Sequence, residues 1–325
     1  MPKVTVIIPN YNHARFLEER IHSVLNQTYQ DFEVLYLDDA STDNSNQVFA
    51  QFVDNKRIRA IYNPVNSGSP FKQWNKGIRE AKGEYVWIAE SDDSADERLL
   101  AKLVAQLDQH PTVGIAYCQS LNVDESNNIL SSRENWTADL DEQRWKKDFV
   151  NNGKDECSRY LIRKNTIPNA SAVLIRRTIY QRVGGADENM KICGDWMMWG
   201  KILLVSDIAF VAEPLNRYRS HHNTVRNNTE IGGLGLEEFI QVMHHISQNA
   251  DVPENILEKA FDDITAYWLT CIVPHQIGLS RNLKIYRMLR EMKPNLNYWV
   301  VRKVVIKSLK TVKQKLGFRT LPSES

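Results

Sequence analysis

A chain of 325 residues with 42% apolar and 25% charged content is long enough to fold by burial alone, in one large core or two smaller ones, and its composition excludes low-complexity and fixed-period repeat architectures. That length excludes a disulfide-stapled miniprotein, and four widely spaced cysteines (Cys118, Cys157, Cys193 and Cys271) form no CxxC pair, which gives no zinc or redox motif and suits a reducing cytoplasm. The net charge of +1 hides an asymmetry, twelve Lys/Arg against two Asp/Glu from Arg281 onward and 29 against 38 before it, so the C-terminal stretch is suited to something anionic.

The first residues, MPKVTVIIPN, show no charged region leading into a long apolar run and no small-residue cleavage site. No window approaches the ~18 apolar residues of a membrane-spanning helix, so neither a secretory signal nor a span is expected. Val4 to Ile8 is a short β-branched run ended by Pro9 and reads as a strand; Leu17, Ile21, Val24 and Leu25 then recur at helical spacing. The strand signal returns at Phe32 to Leu37, Ile58 to Tyr62, Tyr85 to Ala89 and Val113 to Tyr117, with helices expected over Ser45 to Val53, Trp74 to Ala81 and around Leu99 to Leu107. Strands separated by single helices imply an α/β, Rossmann-like, mostly parallel sheet with right-handed crossovers. Past Tyr117 the pattern loosens. Residues 120 to 165 read as a long polar excursion with some helix, Ala172 to Ile175 and Ile208 to Ala212 as strands, Trp196 to Val205 as a helix begun by Asp195, and everything from about residue 230 as helical.

Ligands of such sheets bind beyond the carboxyl ends of the strands. Four strand ends here are polar: Pro9, Asn10, Tyr11 and Asn12, then Asp38 and Asp39, then Asn63 and Asn66, then Glu90 to Asp93. In GEYVWIAESDDSAD a buried strand is followed by Glu90, Asp92, Asp93 and Asp96, and carboxylates so crowded need water or a cation among them. Hard oxygen donors suit Mg²⁺ or Mn²⁺, commonly held by one or two carboxylates plus substrate phosphates. A solvated loop in which Ser94 or Asp93 caps the next helix accounts for this segment equally well. The second acidic pair, Asp38 and Asp39, favours the ligand site, because a carboxylate at a strand end accepts hydrogen bonds from a ribose or base. No GxGxxG or GxxxxGK(S/T) follows the first strand, which disfavours a dinucleotide cofactor or a P-loop and points to a nucleotide whose diphosphate is held by metal.

Taken together, VTVIIPNYNHARFLEERIHSVLNQTYQDFEVLYLDDASTDNS, NSGS, KGIREAKGEYVWIAESDD and GGADENMKICGDWMMWGK resemble a family 2 glycosyltransferase of the GT-A fold, over about residues 3 to 225. The resemblance implies that Pro9, Tyr11 and Asn12 line a nucleotide site and that Asp39 binds the base, usually uracil. It matches Glu90-Ser91-Asp92 to an Asp-x-Asp motif, with Asp92 on the ribose or in the metal shell, Asp93 on the metal, and Glu90 where aspartate is commoner. It makes Asp195 the catalytic base, with Gly194 in place of the usual glutamate; N-capping is the structural account of the same aspartate. The implied reaction is an inverting transfer from a nucleotide-diphosphate sugar, by the resemblance the UDP form, to a hydroxyl of a glycan or lipid-linked saccharide, with Mn²⁺ or Mg²⁺ neutralising the diphosphate. Arg217, Arg219, His221, His222 and Arg226 in RYRSHHNTVR would lie on a loop over the pyrophosphate, where His221 completes the metal shell; a solvated basic loop is the alternative. Asn66 joins the nucleotide rim. Lys72 is placed near phosphate or, more plainly, at an exposed helix start, and Trp196 is expected at the acceptor site with Trp199 in the core.

The family reading divides the chain into a nucleotide half (1–105), an acceptor half (106–228) and a helical extension (229–325). In NYWVVRKVVIKSLKTVKQKLGF, Val301, Val305, Leu309, Val312 and Leu316 share one face. A basic amphipathic helix over 297–319, with Tyr298 and Trp299 at one end, suits peripheral contact with an anionic membrane, or closes the chain's own core or a partner's. No nucleic-acid motif is present. A second reading, a non-catalytic nucleotide-sugar or glycan-binding protein of the same fold, rests on Glu90 and the missing Glu-Asp pair. A nucleotidyltransferase would need an early basic phosphate loop that the sequence lacks.

Overall fold

A computed structural model describes residues 1–220, 232–272, 274, 276–297 and 300–301. In chain order, β1 (Val4–Asn10), α1 (Ala14–Leu25), β2 (Phe32–Asp38), α2 (Ser45–Phe49), β3 (Ile58–Tyr62), α3 (Pro70–Glu80) and β4 (Tyr85–Ile88) form the alternating first third. β1, β2 and β4 are mostly apolar without strict alternation because the sheet is covered on both faces there, while β3 at its edge is only partly buried. Val4, Val6 and Ile8 of β1 meet Leu17, Ile21 and Val24 of α1 on one face, while Ile7 meets Phe71, Trp74 and Ile78 of α3 on the other. A Cβ at Gly77 would stand 2.6 Å from Ile7 Cγ2, so the missing side chain is what lets α3 lie this close to the sheet.

After the two-residue β5 (Ser94–Ala95) and α4 (Leu99–Gln109), β6 runs from Val113 to Val123, well past the expected end at Tyr117. The excursion that follows holds a hairpin strand, β7 (Ile129–Ser132), two short 3-10 turns, β8 (Phe149–Asn151) and α5 (Gly153–Glu156), which runs into a π-helical turn at Cys157–Leu161. Then come β9 (Val173–Arg176), α6 (Arg177–Arg182), α7 (Gly194–Leu203) and β10 (Asp207–Arg219). β10 is longer than its apolar run because it continues through Pro214, with register shifts on either side of that residue.

The sheet order is β3-β2-β1-β4-β9-β6-β10-β5, with β7 on β6 and β8 on β10. β3, β2, β1 and β4 are mutually parallel; β9 enters antiparallel between β4 and β6, and β10 is again parallel to β6. One continuous sheet therefore spans the two halves expected from the sequence. Beyond it, α8 (Leu234–Asn249), α9 (Glu254–Cys271) and α10 (Leu279–Met292) add Ile240, Met243, Ile246, Phe261, Ile264 and Ile285 to the core that contains Trp199 and Ile202 of α7. Among the described residues no helix is long and apolar enough to cross a membrane. Most of the basic stretch expected over 297–319 lies outside the described residues.

Candidate functional site

The carboxyl ends of β1 and β2 are tied into one unit. Pro9 is buried within β1 opposite Leu37, and Tyr11 behind it is 45% exposed. Asn12 adopts a left-handed φ of 57°; its Oδ1 accepts from Thr42 N at 2.7 Å and Asp43 N at 3.3 Å, and its own N–H donates to Ser41 Oγ at 3.0 Å. Asp43 then accepts from Ala14 N at 2.9 Å, supplying the start of α1 with an acceptor that His13, at the cap position, does not. Burial raises the Asp43 pKa, but hydrogen bonds from Ser45 and Ala14 outweigh it and hold the group below the usual carboxylate value. Asp38 closes the floor, accepting from Asn10 and Tyr36 at 3.1 Å and from Ser41 N at 2.9 Å.

Asp39 is 4% exposed and gathers the loop before α3 around itself. Its Oδ1 accepts from Asn63 Nδ2 at 2.5 Å, Gln73 Nε2 at 2.8 Å and Ser67 N at 3.0 Å; its Oδ2 accepts from Ser67 Oγ at 2.8 Å and Ser67 N at 3.0 Å. Asn66 donates to the Asp39 carbonyl at 3.2 Å and accepts from Gly68 N at 2.6 Å. In this arrangement Asp39 and Asn66 fold the loop between β3 and α3. Lys72 sits in the first turn of α3, exposed, with Nζ 3.3 Å from Ser67 O.

At the end of β4 the carboxylates sort by environment. Glu90 accepts from Trp74 Nε1 at 2.8 Å; burial, then the charge of Asp92, push its pKa up to about 8. Asp93, 2% exposed, accepts from Arg219 N at 2.9 Å and from Asn169 Nδ2 at 3.0 Å. Burial and then Asp92 raise its pKa too. Asp92 and Glu90 are partly exposed, whereas Asp93 is buried. Ser91 Oγ lies 2.8 Å from His13 Nδ1, which joins this turn to the start of α1.

Two arginines that sequence reasoning did not assign to this cluster hold the turn from behind. Arg20 is fully buried and donates from Nε to Glu90 O at 2.8 Å and from Nη2 to Ser171 Oγ at 3.2 Å. Burial lowers its pKa against the pull of Asp93, Asp92 and Glu90. Its signal was a charge on an apolar helical stripe, at position 20 between Leu17 and Ile21. Arg219, expected on a loop over the pyrophosphate, is instead the last residue of β10 and 1% exposed. It donates to Asp92 O at 2.8 Å, Asp124 O at 3.0 Å, Glu19 Oε2 at 2.8 Å and Asn127 Oδ1 at 2.7 Å. Arg217 also belongs to β10, while His221, His222 and Arg226 lie outside the described residues.

Asp195 is in the first turn of α7, one residue inside the start at Gly194, with Cys193 at the cap position. Its Oδ1 accepts from Trp196 N at 2.7 Å and its Oδ2 from Asn165 Nδ2 at 3.2 Å, and the residue is partly exposed. A Cβ at Gly194 would stand 2.4 to 2.8 Å from the Phe71 ring, so α3 leaves no room for a side chain there. Trp196 corrects an expectation. It is 7% exposed, donates from Nε1 to Leu161 O at 2.9 Å, and lies 4.5 Å from the Phe239 ring of α8; it belongs to the core like Trp199, because a helix outside the sequence motif covers it. Trp199 donates to Ile167 O at 3.0 Å and stacks on Trp74, which in turn holds Glu90.

The segment from Asn165, the last residue of the expected polar excursion, to Asn169 bonds both acidic groups. Asn165 holds Asp195 and Asn169 holds Asp93. Four residue steps span at most ~14 Å, so one short segment brings the helix start and the acidic turn into a single site.

A metal at this turn would meet hard oxygen donors whose mutual repulsion a cation relieves. Among the described residues no three His, Cys, Asp or Glu are arranged to hold an ion by themselves. The donor chemistry therefore fits an ion held by one or two carboxylates and completed by ligand phosphates, and does not fit an all-protein cage.

The family model for glycosyl transferase family 2 matches residues 5–184. Glycosyltransferase GlyG of Streptococcus pneumoniae is 36% identical over 124 residues, 38% of this chain and 40% of that protein. The poly(ribitol-phosphate) beta-N-acetylglucosaminyltransferase TarS of Staphylococcus aureus is 32% identical over 112 residues, 34% of this chain and 20% of that protein. The chain thus matches at most 40% of the length of these two relatives. Among solved structures, S. aureus TarS 1-349 in complex with UDP-GlcNAc superposes with a TM-score of 0.68 at 20% identity, covering 89% of this chain and 80% of that one. The mannosyltransferase PcManGT from Pyrobaculum calidifontis in complex with GDP-Man and Mn²⁺ gives 0.58 at 18% identity, covering 96% and 86%. These structural likenesses carry the fold, a mixed α/β sheet of the GT-A type flanked by helices. With the family model matching more than half of its length, the chain belongs to glycosyl transferase family 2.

Proposed function

We propose that this chain transfers a sugar from a nucleoside diphosphate donor, with uridine as the base, to a hydroxyl of a glycan or lipid-linked saccharide, inverting the anomeric centre. The observation that carries this reading is the 165–169 segment, which bonds Asp195 at one end and Asp93 at the other. A donor-side acidic turn and an acceptor-side base are what a single displacement on a sugar nucleotide requires. Complexes of TarS with UDP and UDP-GlcNAc support the uridine assignment.

The nucleotide takes the rim of Pro9, Tyr11 and Asn12, with Asp39 and Asn66 shaping its third loop and Lys72 near the phosphates. A divalent ion, Mn²⁺ or Mg²⁺, would be held by Asp92, with Asp93 and His221 as the further ligands that the family resemblance implies, and would neutralise charge on the departing diphosphate. Asp92 takes first place because it is partly exposed, whereas Asp93 is buried with both oxygens bonded and Glu90 is held by Trp74. Asp195, fixed by Asn165 and by Trp196 N, accepts the proton of the acceptor hydroxyl as its oxygen bonds to the anomeric carbon and the diphosphate leaves with the C–O bond electrons. An unperturbed aspartate near ~3.9 is a weak base, yet the hydroxyl acidifies as its new bond forms, so a late proton transfer asks for no stronger one.

The deciding experiment is calorimetric titration of UDP, GDP, CDP and dTDP with and without Mn²⁺ into wild type, Asp92→Asn and Asp195→Asn. Metal-dependent UDP binding lost in Asp92→Asn and kept in Asp195→Asn is the expected result; binding of no nucleotide, or binding indifferent to metal and to Asp92, would sink the proposal. The basic stretch 297–319 is proposed to touch an anionic membrane, and deletion of residues 297–325 should abolish liposome binding with UDP binding intact.

A further inference from the structure

The helix that carries Asp195 has no side-chain cap of its own: Cys193 holds the cap position without a hydrogen bond from its side chain to the helix start. Free amides around a helix start need an acceptor. Asp195 itself accepts from Trp196 N in the first turn; for Cys193 at the cap position and the two amides before it, the acceptor comes from the C-terminal extension. Glu238, in the second turn of α8, is 3% exposed, and its carboxylate accepts from Lys191 N at 2.8 Å, Ile192 N at 2.8 Å and Cys193 N at 2.7 Å. Hydrogen bonds to an ionised acceptor are roughly twice as strong as neutral ones.

The surroundings act in the same direction. Cys193 Sγ donates to Gly235 O at 3.7 Å, the Phe239 ring lies 4.5 Å from Trp196, and a Cβ at Gly235 would come within 3.2 Å of Ile192 Cδ1. On the other side Phe71 fills the space beside Gly194. The start of α7 is clamped between α3 and α8, and Asp195 lies two residues beyond the last amide that Glu238 holds. Glu238 itself falls outside the segment that the family model matches.

We infer that Glu238 is a positioning residue for Asp195, so that the C-terminal helices are part of the reacting site and not an appendage to it. The inference rests on the reading of Asp195 as the base. Glutamine at 238 would keep the volume of the side chain but turn an NH₂ toward one of the three amides, loosening the clamp. A catalytic group displaced by about 1 Å loses on the order of 10²-fold in rate.

The test uses the full chain as wild type, Glu238→Gln and Asp195→Asn, with UDP-GlcNAc and Mn²⁺ as the probe, released UDP as the readout, and hydrogen exchange of the segment around residues 188–198. Glu238→Gln is expected to speed exchange at 191–193 and to lower kcat by about tenfold or more with KM for UDP-GlcNAc within about twofold. Glu238→Asp, which keeps the charge but draws it back from the three amides by one methylene, should give the same split, which keeps the test open if Glu238→Gln folds poorly. Unchanged exchange, or a KM rise with kcat intact, overturns the inference. A wild type that releases no UDP, or an Asp195→Asn variant with full turnover, would instead sink the functional reading, and exchange at 191–193 then decides the hold of Glu238 by itself.

Discussion

Replacing Asp93 and Asp92 in turn separates scaffolding from binding in the acidic turn. Asp93→Ala leaves two buried donors, Arg219 N and Asn169 Nδ2, without their acceptor. Each such loss costs about 1–3 kcal/mol, so the sum is about 2–6 kcal/mol. Part of this is offset, since a buried carboxylate whose pKa is raised by burial and by Asp92 is itself under electrostatic stress; a net loss of about 2–4 kcal/mol is expected. Asp92→Ala removes a partly exposed carboxylate whose charge raises the pKa of both Glu90 and Asp93. Relief of that repulsion should keep its effect on stability within about 1 kcal/mol, while metal-dependent UDP binding is lost. Urea unfolding followed by tryptophan fluorescence, with calorimetry of UDP and Mn²⁺ on the same preparations, reads both quantities. Equal destabilisation by the two substitutions, or greater destabilisation by Asp92→Ala, would refute this division of roles.

Three further outcomes are expected. Ala40 stands at φ 61°, where a Cβ costs roughly 1–2 kcal/mol, so Ala40→Gly should raise stability by up to about 1 kcal/mol after the added freedom of the unfolded chain is subtracted; a lower thermal midpoint would contradict it. Glu90 has a folded-state pKa raised to about 8, so the folded state holds a proton that the unfolded chain releases near ~4.5, and stability falls as pH rises between the two values. Glu90→Gln should therefore match wild type near pH 4.5 and exceed it by about 2 kcal/mol at pH 8.5, at ~1.4 kcal/mol per unit discounted for water reaching the side chain; a gap that does not widen with pH, in urea titrations without divalent metal, would refute the assignment. Gly194→Ala sets a Cβ against the Phe71 ring and should cost about 1–3 kcal/mol, recovered in part by Phe71→Leu in the same chain; an alanine variant as stable as wild type would show that the start of α7 can move.

β1, β2 and β4 were legible because each is largely buried and reads as a mostly apolar run next to an amphipathic helix, and β3, at the sheet edge and only partly buried, by its β-branched and aromatic residues around Arg59. β6 and β10 were legible only in part. Gln119 and Ser120 lie buried within β6, and β10 passes through Pro214 with register shifts around it, so neither strand advertises its length through hydrophobicity. The acidic residues of the site stood out as pairs at strand ends, a local pattern. Their partners did not, since Asn169 meets Asp93 and Asn165 meets Asp195 across 76 and 30 residues, and an asparagine in a loop has no periodicity to betray it. Trp196 was misplaced for the same reason: helical spacing says which residues share a side, not that Phe239 from another helix will cover that side.

These long-range bonds explain why the residues with the plainest motifs are not the ones that fix the site's geometry. Asp39, Asp93 and Asp195 each accept from side chains or amides contributed by other loops, and a carboxylate bound in this way has its orientation chosen by its donors. Arg219 closes the set by joining the acidic turn to α1 and to the β6–β7 hairpin with one buried guanidinium. Because the neighbouring carboxylates repel one another, the turn is held by what surrounds it and not by its own sequence. It follows that Arg219→Met, which keeps a long side chain but removes four donated bonds and the guanidinium over the Phe16 ring, should weaken metal-dependent UDP binding although Arg219 is too deeply buried to touch the nucleotide; wild-type affinity in a folded Arg219→Met variant would show that the acidic turn orders itself.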